Sequence, residues 1–214
     1  MHYPPSKTLV DFPTNPPVFT QQVEQKKRRL PGSRSSRFIV FIIFTICVLG
    51  AIAAFFCWPR TPRVSVGGGA DALSGPPDWG TDRRRLKATW QVNVTMDNRD
   101  NWIPTHLNRI EFVIVDSLTL IKFAWATSVG PLVLAPGTIT PVSVTFNVDY
   151  QAATTMDPTL QNLYSACGPD LPKGITQRPA LNVLVRVSFH IFGILWTPMV
   201  TATPYTGGLL CPLK

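Results

Sequence analysis

The chain has few side chains that are suited to catalysis. Residues 89–214 contain one glutamate, Glu111, and two histidines, His106 and His190. Apolar neighbours place Glu111 on a surface, and His190 follows the alternation of a strand. The sequence has no serine-nucleophile elbow, phosphate-binding glycine loop, zinc-protease motif or pair of glutamates. We therefore expect a protein that is not an enzyme and has no cofactor.

Cysteine is also scarce. Of four cysteines, Cys47 and Cys57 lie in an apolar run, and Cys167 and Cys211 lie further along the chain. The absence of a C-x-x-C pair and of a Cys/His cluster argues against zinc. In an oxidising compartment Cys167 and Cys211 can form one disulfide with each other. The alternative is that Cys167 is a buried free thiol.

The chain does contain an uncharged apolar run, which reads FIVFIIFTICVLGAIAAFFCW from Phe38 to Trp58. A helix of this length measures about 31 Å, close to the hydrocarbon thickness of a bilayer. A signal peptide has a shorter apolar core, and a helix of a soluble domain is rarely apolar on all sides. The run predicts a transmembrane helix over 38–58.

Positive charge is concentrated before this run. Two basic residues follow it closely, Arg60 and Arg63, and six precede it: Lys26, Lys27, Arg28, Arg29, Arg34 and Arg37. The positive-inside rule then predicts a cytoplasmic N-terminus. We expect the C-terminal part to be luminal or extracellular, at the plasma membrane or at an endomembrane such as that of the vacuole.

Two further expectations follow from the C-terminal part. Residues 89–214 carry seven basic and seven acidic residues, so the positive charge belongs to the flanks of the membrane helix. Nucleic acid is therefore not an expected partner, because a protein that binds nucleic acid should carry its basic surface on the folded domain itself. Asn93 begins the only N-x-S/T sequon and is the predicted glycosylation site.

The remaining chain divides by composition. Residues 1–37 are rich in proline and poor in apolar side chains, which predicts a disordered cytoplasmic tail. Residues 59–85 contain a triple glycine, Gly67–Gly69, and show no core pattern, which predicts a linker. Residues 86–214 form the predicted folded domain.

The domain is mainly β in its pattern. Apolar residues alternate over 86–96, 142–150 and 181–191, and this alternation places Val185 and Val187 in the core. One helix is predicted over 157–167, with Asp157 as its N-cap, and Gly168 ends it. Six or seven strands and one short helix predict an antiparallel β-sandwich.

Several segments resemble the late embryogenesis abundant group 2 family, the water-stress and hypersensitive-response proteins that include harpin-induced-like membrane proteins. They are WQVNVTMDN at 90–98, NWIPTHLNRIEFVIVD at 101–116, the passage from DPTLQNLYSACG to LNVLVRVSFHIFGILW, and Cys211 in LLCP. The family has Asn-Pro-Asn where this chain has Asn98 to Asn101, so we expect Asx side chains to build this turn by bonding nearby N–H groups. The resemblance implies a fibronectin type III or immunoglobulin-like sandwich and roles in stress response, signalling or lipid binding.

Apolar residues on both faces of some strands suggest a lipid groove. Its predicted residues are Phe112, Ile114, Phe123, Trp125, Phe192 and Trp196. We expect a membrane-anchored binding module whose partner is membrane lipid. The alternative is an adhesion or signalling scaffold with a protein or cell-wall partner. The same apolar residues could instead be ordinary core, covered by the helix and the loops.

Overall fold

The computed structural model describes residues 33–128, 130–170 and 178–212. The chain divides after Val48, and Leu49–Lys214 form the second of two units. The elements in order are α1 Ser33–Cys57, β1 Arg63–Ala72, β2 Arg85–Asp97, β3 Thr105–Asp116, β4 Lys122–Thr127, β5 Leu132–Leu134, β6 Ile139–Gln151, α2 Pro158–Cys167, β7 Val183–Ile191 and β8 Met199–Ala202.

Helix α1 contains a stretch, Ser36–Cys57, that is long and apolar enough to cross a membrane. The helix begins at Ser33, so the last residues of the predicted tail, 33–37, are helical. Residues 1–32, where the rest of that tail was predicted, lie outside the described residues.

The strands form one antiparallel sheet in the order β1-β2-β6-β4-β3-β7-β8, and β5 pairs with β3. The mainly β prediction is confirmed. Strands β4 and β6 are paired only at Ala124↔Val148 and Trp125↔Asn147, so the sheet has a narrow seam at its centre. Its two edges approach each other, because the N–H of Leu210, which lies beyond β8, donates to the carbonyl of Gly68 in β1 (2.8 Å). The sheet is therefore curled.

The segment predicted as a linker contains strand β1. This strand pairs with β2 from Arg63↔Asp97 to Ala72↔Trp90, and its register shifts between Val66 and Ala70, around the triple glycine. A Cβ atom on Gly67 would lie 2.8 Å from the carbonyl oxygen of Asn93. The glycines thus let a bulged edge strand approach its neighbour closely. Only residues 58–62 connect α1 to the sheet.

The inward faces of the strands and of α2 make the core. Val185 and Val187 are 1% and 0% exposed, which confirms their predicted positions. Helix α2 is confirmed too: the carboxylate of Asp157 accepts the N–H of Leu160 (3.0 Å), and Gly168 is its C-cap. The largest fully buried side chains include Trp90, Phe112, Phe123, Phe146 and Phe189.

Strand β4 begins at Lys122, although apolar residues already occur from Leu118 onward. Residues 118–121 form a turn instead, in which the carboxylate of Asp116 accepts the hydroxyl of Thr119 (2.8 Å) and Leu120 has a positive φ of 58°. Leu118 is 81% exposed as a result. Local side-chain bonding therefore overrides β-propensity at this point.

Candidate functional site

The six residues of the predicted lipid groove lie in three separate places. Phe112, Ile114 and Phe123 are at most 1% exposed and belong to the core, which agrees with the alternative that they are ordinary core residues. Their strands are apolar on the inner face because that face packs against the rest of the curled sheet and α2. Trp125 lies on the outer face of β4, and Phe192 and Trp196 lie in the loop between β7 and β8.

Trp125 lies beside an open cavity of about 420 Å³ on the outer face of the sheet. Its cross-strand neighbours are Val113 and Asn147, and the ammonium of Lys122 is 5.3 Å from the centre of its ring. The cavity is lined by Ser74, Pro76, Asp78, Lys87, Ala88, Thr89, Trp125, Asn147, Val148 and Asp149. Most of these side chains are polar, which suits a polar ligand better than an acyl chain.

A second surface lies at the end of the sheet where the chain enters from α1. We call it the anchor end. Strand β1 begins there and β2 ends there, since Arg63 pairs with Asp97. Strand β3 also begins there and β7 ends there, since Leu107 pairs with Ile191. The β2–β3 loop (98–104) and the β7–β8 loop (192–198) are therefore neighbours at this end.

A buried polar network holds the β2–β3 loop. The amide of Asn98, which is fully buried, donates to the carbonyls of Leu134 (3.1 Å) and Ala135 (3.0 Å). Its oxygen accepts from the amide of Asn101 (2.6 Å) and the hydroxyl of Thr105 (3.0 Å). The network joins the loops that precede β3 and follow β5. Full satisfaction of buried amides makes such a network rigid.

The turn is built partly as the sequence predicted. The carboxylate of Asp97 accepts the N–H of Arg99 (3.0 Å), as in an Asx turn. The guanidinium of Arg99 also bonds this carboxylate and holds the pKa of Asp97 at about 2. Asn98 differs from the expectation, since its side-chain amide donates to distant carbonyls and its side-chain oxygen accepts side-chain donors instead of backbone N–H groups.

The same network reaches back to the connection from α1. The backbone N–H of Arg60 donates to the side-chain oxygen of Asn101 (2.6 Å), and the amide of Asn101 donates to the carbonyl of Arg60 (2.8 Å). Asn101 is 4% exposed, and Pro62 is buried. The connection is therefore attached to the sheet at residue 60, before β1 begins.

Large apolar side chains project from the loops of the anchor end. Trp102 is 70% exposed, Phe192 72%, Leu195 102% and Trp196 57%. We call these four residues the apolar face. Trp58 stacks on Trp196 with ring centres 6.2 Å apart.

The predicted groove residues included Phe192 and Trp196, Leu195 belongs to the same apolar segment of the sequence, and Trp102 was missed. An apolar residue directly after a polar turn, as Trp102 is, was the available signal.

The other predicted positions are placed as follows. Asn93 is exposed on β2, and its side-chain oxygen accepts the hydroxyl of Ser143 (2.7 Å). Cys167, at the end of α2, forms a disulfide with Cys211, and their Cα atoms are 5.4 Å apart. The disulfide ties the segment that follows β8 to α2.

Charged groups outside these surfaces form small clusters. The guanidinium of Arg109 lies 2.9 Å from the carboxylate of Glu111, and His190 lies 3.6 Å from the same carboxylate. These pairs are partly exposed, so they contribute little to stability. Among the residues that the structure describes, no group of three His, Cys, Asp or Glu side chains could hold a metal ion.

Comparison with known proteins assigns no family to the chain. No family model matches it, and no curated protein matches it. A crystal structure of a protein from Archaeoglobus fulgidus aligns with 66% of this chain and 90% of its own, at 10% identity and a TM-score of 0.32. A TM-score this low supports no conclusion about fold or function.

Proposed function

We propose that the chain is a single-pass membrane protein whose luminal or extracellular β domain is a non-catalytic binding module for lipid at its own membrane. The observation that carries the proposal is the short connection between α1 and the sheet. Residues 58–62 can span at most about 20 Å between Cys57 and Arg63, given about 3.3–3.6 Å per residue. A domain held this closely cannot leave the surface of the bilayer that contains α1.

The hydrogen bonds of Asn101 shorten this reach further. Asn101 bonds the backbone N–H and the backbone carbonyl of Arg60. The part of the connection that is not attached to the sheet therefore ends three residues after the helix. Lipid head groups are then the chemical groups that lie nearest to the anchor end. The six basic residues before the apolar run and the two after it support the orientation of the module.

We also propose membership of the late embryogenesis abundant group 2 family, for which the sequence segments quoted above are the support. An immunoglobulin-like sandwich is part of that proposal. The seam of two residue pairs between β4 and β6 is compatible with two half-sheets that fold towards each other.

Glycosylation and membrane extraction test the anchored topology. Expressed in eukaryotic cells, the chain should stay in the pellet after alkaline carbonate and should lose mass on glycosidase treatment. Asn93→Gln should abolish that loss, and Asn147→Gln, a second exposed asparagine outside a sequon, should not. Release by carbonate, or protease access to the β domain in sealed microsomes, would contradict the proposal.

Lipid binding is tested by native mass spectrometry of the full chain in nanodiscs, followed by exchange into detergent. Retained lipid supports the module. The absence of lipid in every preparation would rule out lipid as the ligand but would not contradict the proposed membrane anchor.

A second candidate function is a scaffold with a cell-wall saccharide as partner. The cavity beside Trp125 supports it, because an aromatic ring among polar side chains can stack on a sugar ring and bond its hydroxyls. Trp125→Ala should abolish retention on polysaccharide, and Trp102→Ala should not. Recovery of a luminal protein by proximity labelling, without polysaccharide binding, would favour a protein partner instead.

A further inference from the structure

We propose that the apolar face of Trp102, Phe192, Leu195 and Trp196 inserts into the interface of the bilayer that holds α1. This inference rests on the proposed membrane anchor and assigns the surface that meets the lipid. It makes the anchor end a second attachment, made by the domain itself.

The position of the face supports lipid as its occupant. The chain enters the domain at this end, and the first residue of the connection, Trp58, stacks on Trp196. Phe56 meets Trp102 edge to face with ring centres 5.7 Å apart. The face is thus continuous with the end of the helix, where membrane proteins place tryptophan at the interface.

The chemistry of the face agrees with that position. Residues 192–198 read FGILWTP and carry no charge, so the loop loses no ionic hydration on entering the interface. Tryptophan suits this region because its ring is apolar and its N–H can still bond water or head groups. Arg60, which is exposed beside the face, can reach anionic phosphates.

The loops hold these side chains outward. In the β7–β8 loop the N–H of Phe192 donates to the carbonyl of His106 (2.9 Å), and the N–H of Ile194 donates to the carbonyl of Ile191 (3.2 Å). Gly193 takes the positive φ of 83° that this turn requires. Together with the Asn98 network, these bonds fix both loops, so the apolar side chains remain exposed instead of collapsing onto the sheet.

The opposite end of the sheet also exposes apolar side chains, but they differ in kind. Leu118 is 81% exposed and Met156 78%, and neither side chain is aromatic. That end lies far along the strands from the point where the chain enters. It supplies matched controls for the test.

The test uses the full chain in nanodiscs made with and without lipids that carry bromine near the carbonyl end of the acyl chain. Bromine quenches indole fluorescence at short range. Trp58→Phe first removes the tryptophan that directly follows α1 and would lie at the interface without any docking, which leaves five of the six tryptophans. In this background we expect strong quenching by bromolipid, lost by more than half on adding Trp102→Phe and Trp196→Phe.

The matched control is Trp125→Phe, which removes an exposed indole on the outer face of β4 and should leave bromolipid quenching unchanged. Should the double variant fail to fold, Leu195→Trp in the background of Trp58→Phe reports the same surface, since a side chain 102% exposed has no packing to lose. The indole introduced at position 195 should be quenched by bromolipid. The indole introduced by Leu118→Trp should not be quenched.

Three results would overturn the proposal. Trp102 and Trp196 quenched by aqueous acrylamide but not by bromolipid would show that the face is wet. Protection from both quenchers would show that a second copy or another protein covers it. A chain that does not enter nanodiscs at all would remove the anchor and the docking together, whereas a chain that enters without quenching would remove the docking alone.

Discussion

The side chain of Asn101 forms hydrogen bonds with both backbone polar groups of Arg60. It accepts the N–H at 2.6 Å and donates to the carbonyl at 2.8 Å. The two residues are 41 positions apart, so the pair fastens the end of the connection to the loop that precedes β3. A side-chain amide can bond a backbone segment in this way because it carries a donor and an acceptor side by side.

Asn101→Ala should destabilise the domain by about 1–3 kcal/mol, because it removes the hydrogen bonds that the amide makes with Asn98 and with the backbone of Arg60. It should also speed tryptic cleavage after Arg60, which the network otherwise holds. Both effects can be measured on the full chain in detergent, by denaturant unfolding and by limited proteolysis. The matched control is Asn108→Ala, an exposed asparagine on β3. Equal cleavage rates in the two variants would show that the network does not hold the connection.

Val187→Ala should cost about 1–3 kcal/mol of unfolding free energy, and Val187→Asp should prevent folding. Val187 is fully buried on β7, so alanine leaves a cavity and aspartate buries an unpaired charge. The neighbouring Ser188, which points to the other face, is the control, and Ser188→Ala should change little. Near-ultraviolet circular dichroism during denaturation makes the comparison. An unchanged midpoint for Val187→Asp is incompatible with the described register.

Thiol titration of the unfolded, unreduced chain should find two reactive thiols. These are Cys47 and Cys57, since Cys167 and Cys211 are joined. The disulfide closes a loop of 44 residues, which corresponds to about 4 kcal/mol of stabilisation in the chain-entropy model. Cys167→Ser with Cys211→Ser should therefore lower the melting temperature, and Cys47→Ser should not. Four reactive thiols would show that the disulfide does not form.

Tyr150 should ionise at a higher pH than a free tyrosine does. Burial, helped by the hydrogen bond that its hydroxyl donates to Asp157 (2.8 Å), raises its pKa to about 12 from the usual 10. Because the folded pKa is the higher one, the neutral hydroxyl stabilises the fold fully below about pH 10. This contribution is lost as the pH rises towards 12.

Tyrosinate absorbance across this range checks the expectation. Tyr150→Phe should remove the late ionisation and flatten the fall in stability between about pH 10 and 12. Tyr205, which is 78% exposed, is the control, and Tyr205→Phe should leave the late ionisation in place. A late ionisation that persists in Tyr150→Phe would refute the assigned burial.

Much of the architecture was determined by the sequence alone. The apolar run marks α1, and the Asp157–Pro158 start and the Gly168 end mark α2, because helix ends depend on local backbone groups. Strict alternation likewise marks β2, β6 and β7 and the inward positions of Val185 and Val187. These signals are local in the chain, so they can be found without knowing which elements meet.

Only the tertiary structure decided which apolar residues are covered. Phe112 and Trp196 are equally apolar in sequence, but one is sealed by the curled sheet and the other projects from a loop. It also decided that the triple glycine is a bulged strand and that Asn98 bonds carbonyls 36 and 37 positions away. Burial and long-range hydrogen bonds depend on strand order and register. These are set by the packing of the whole sheet and leave no local signature in the chain.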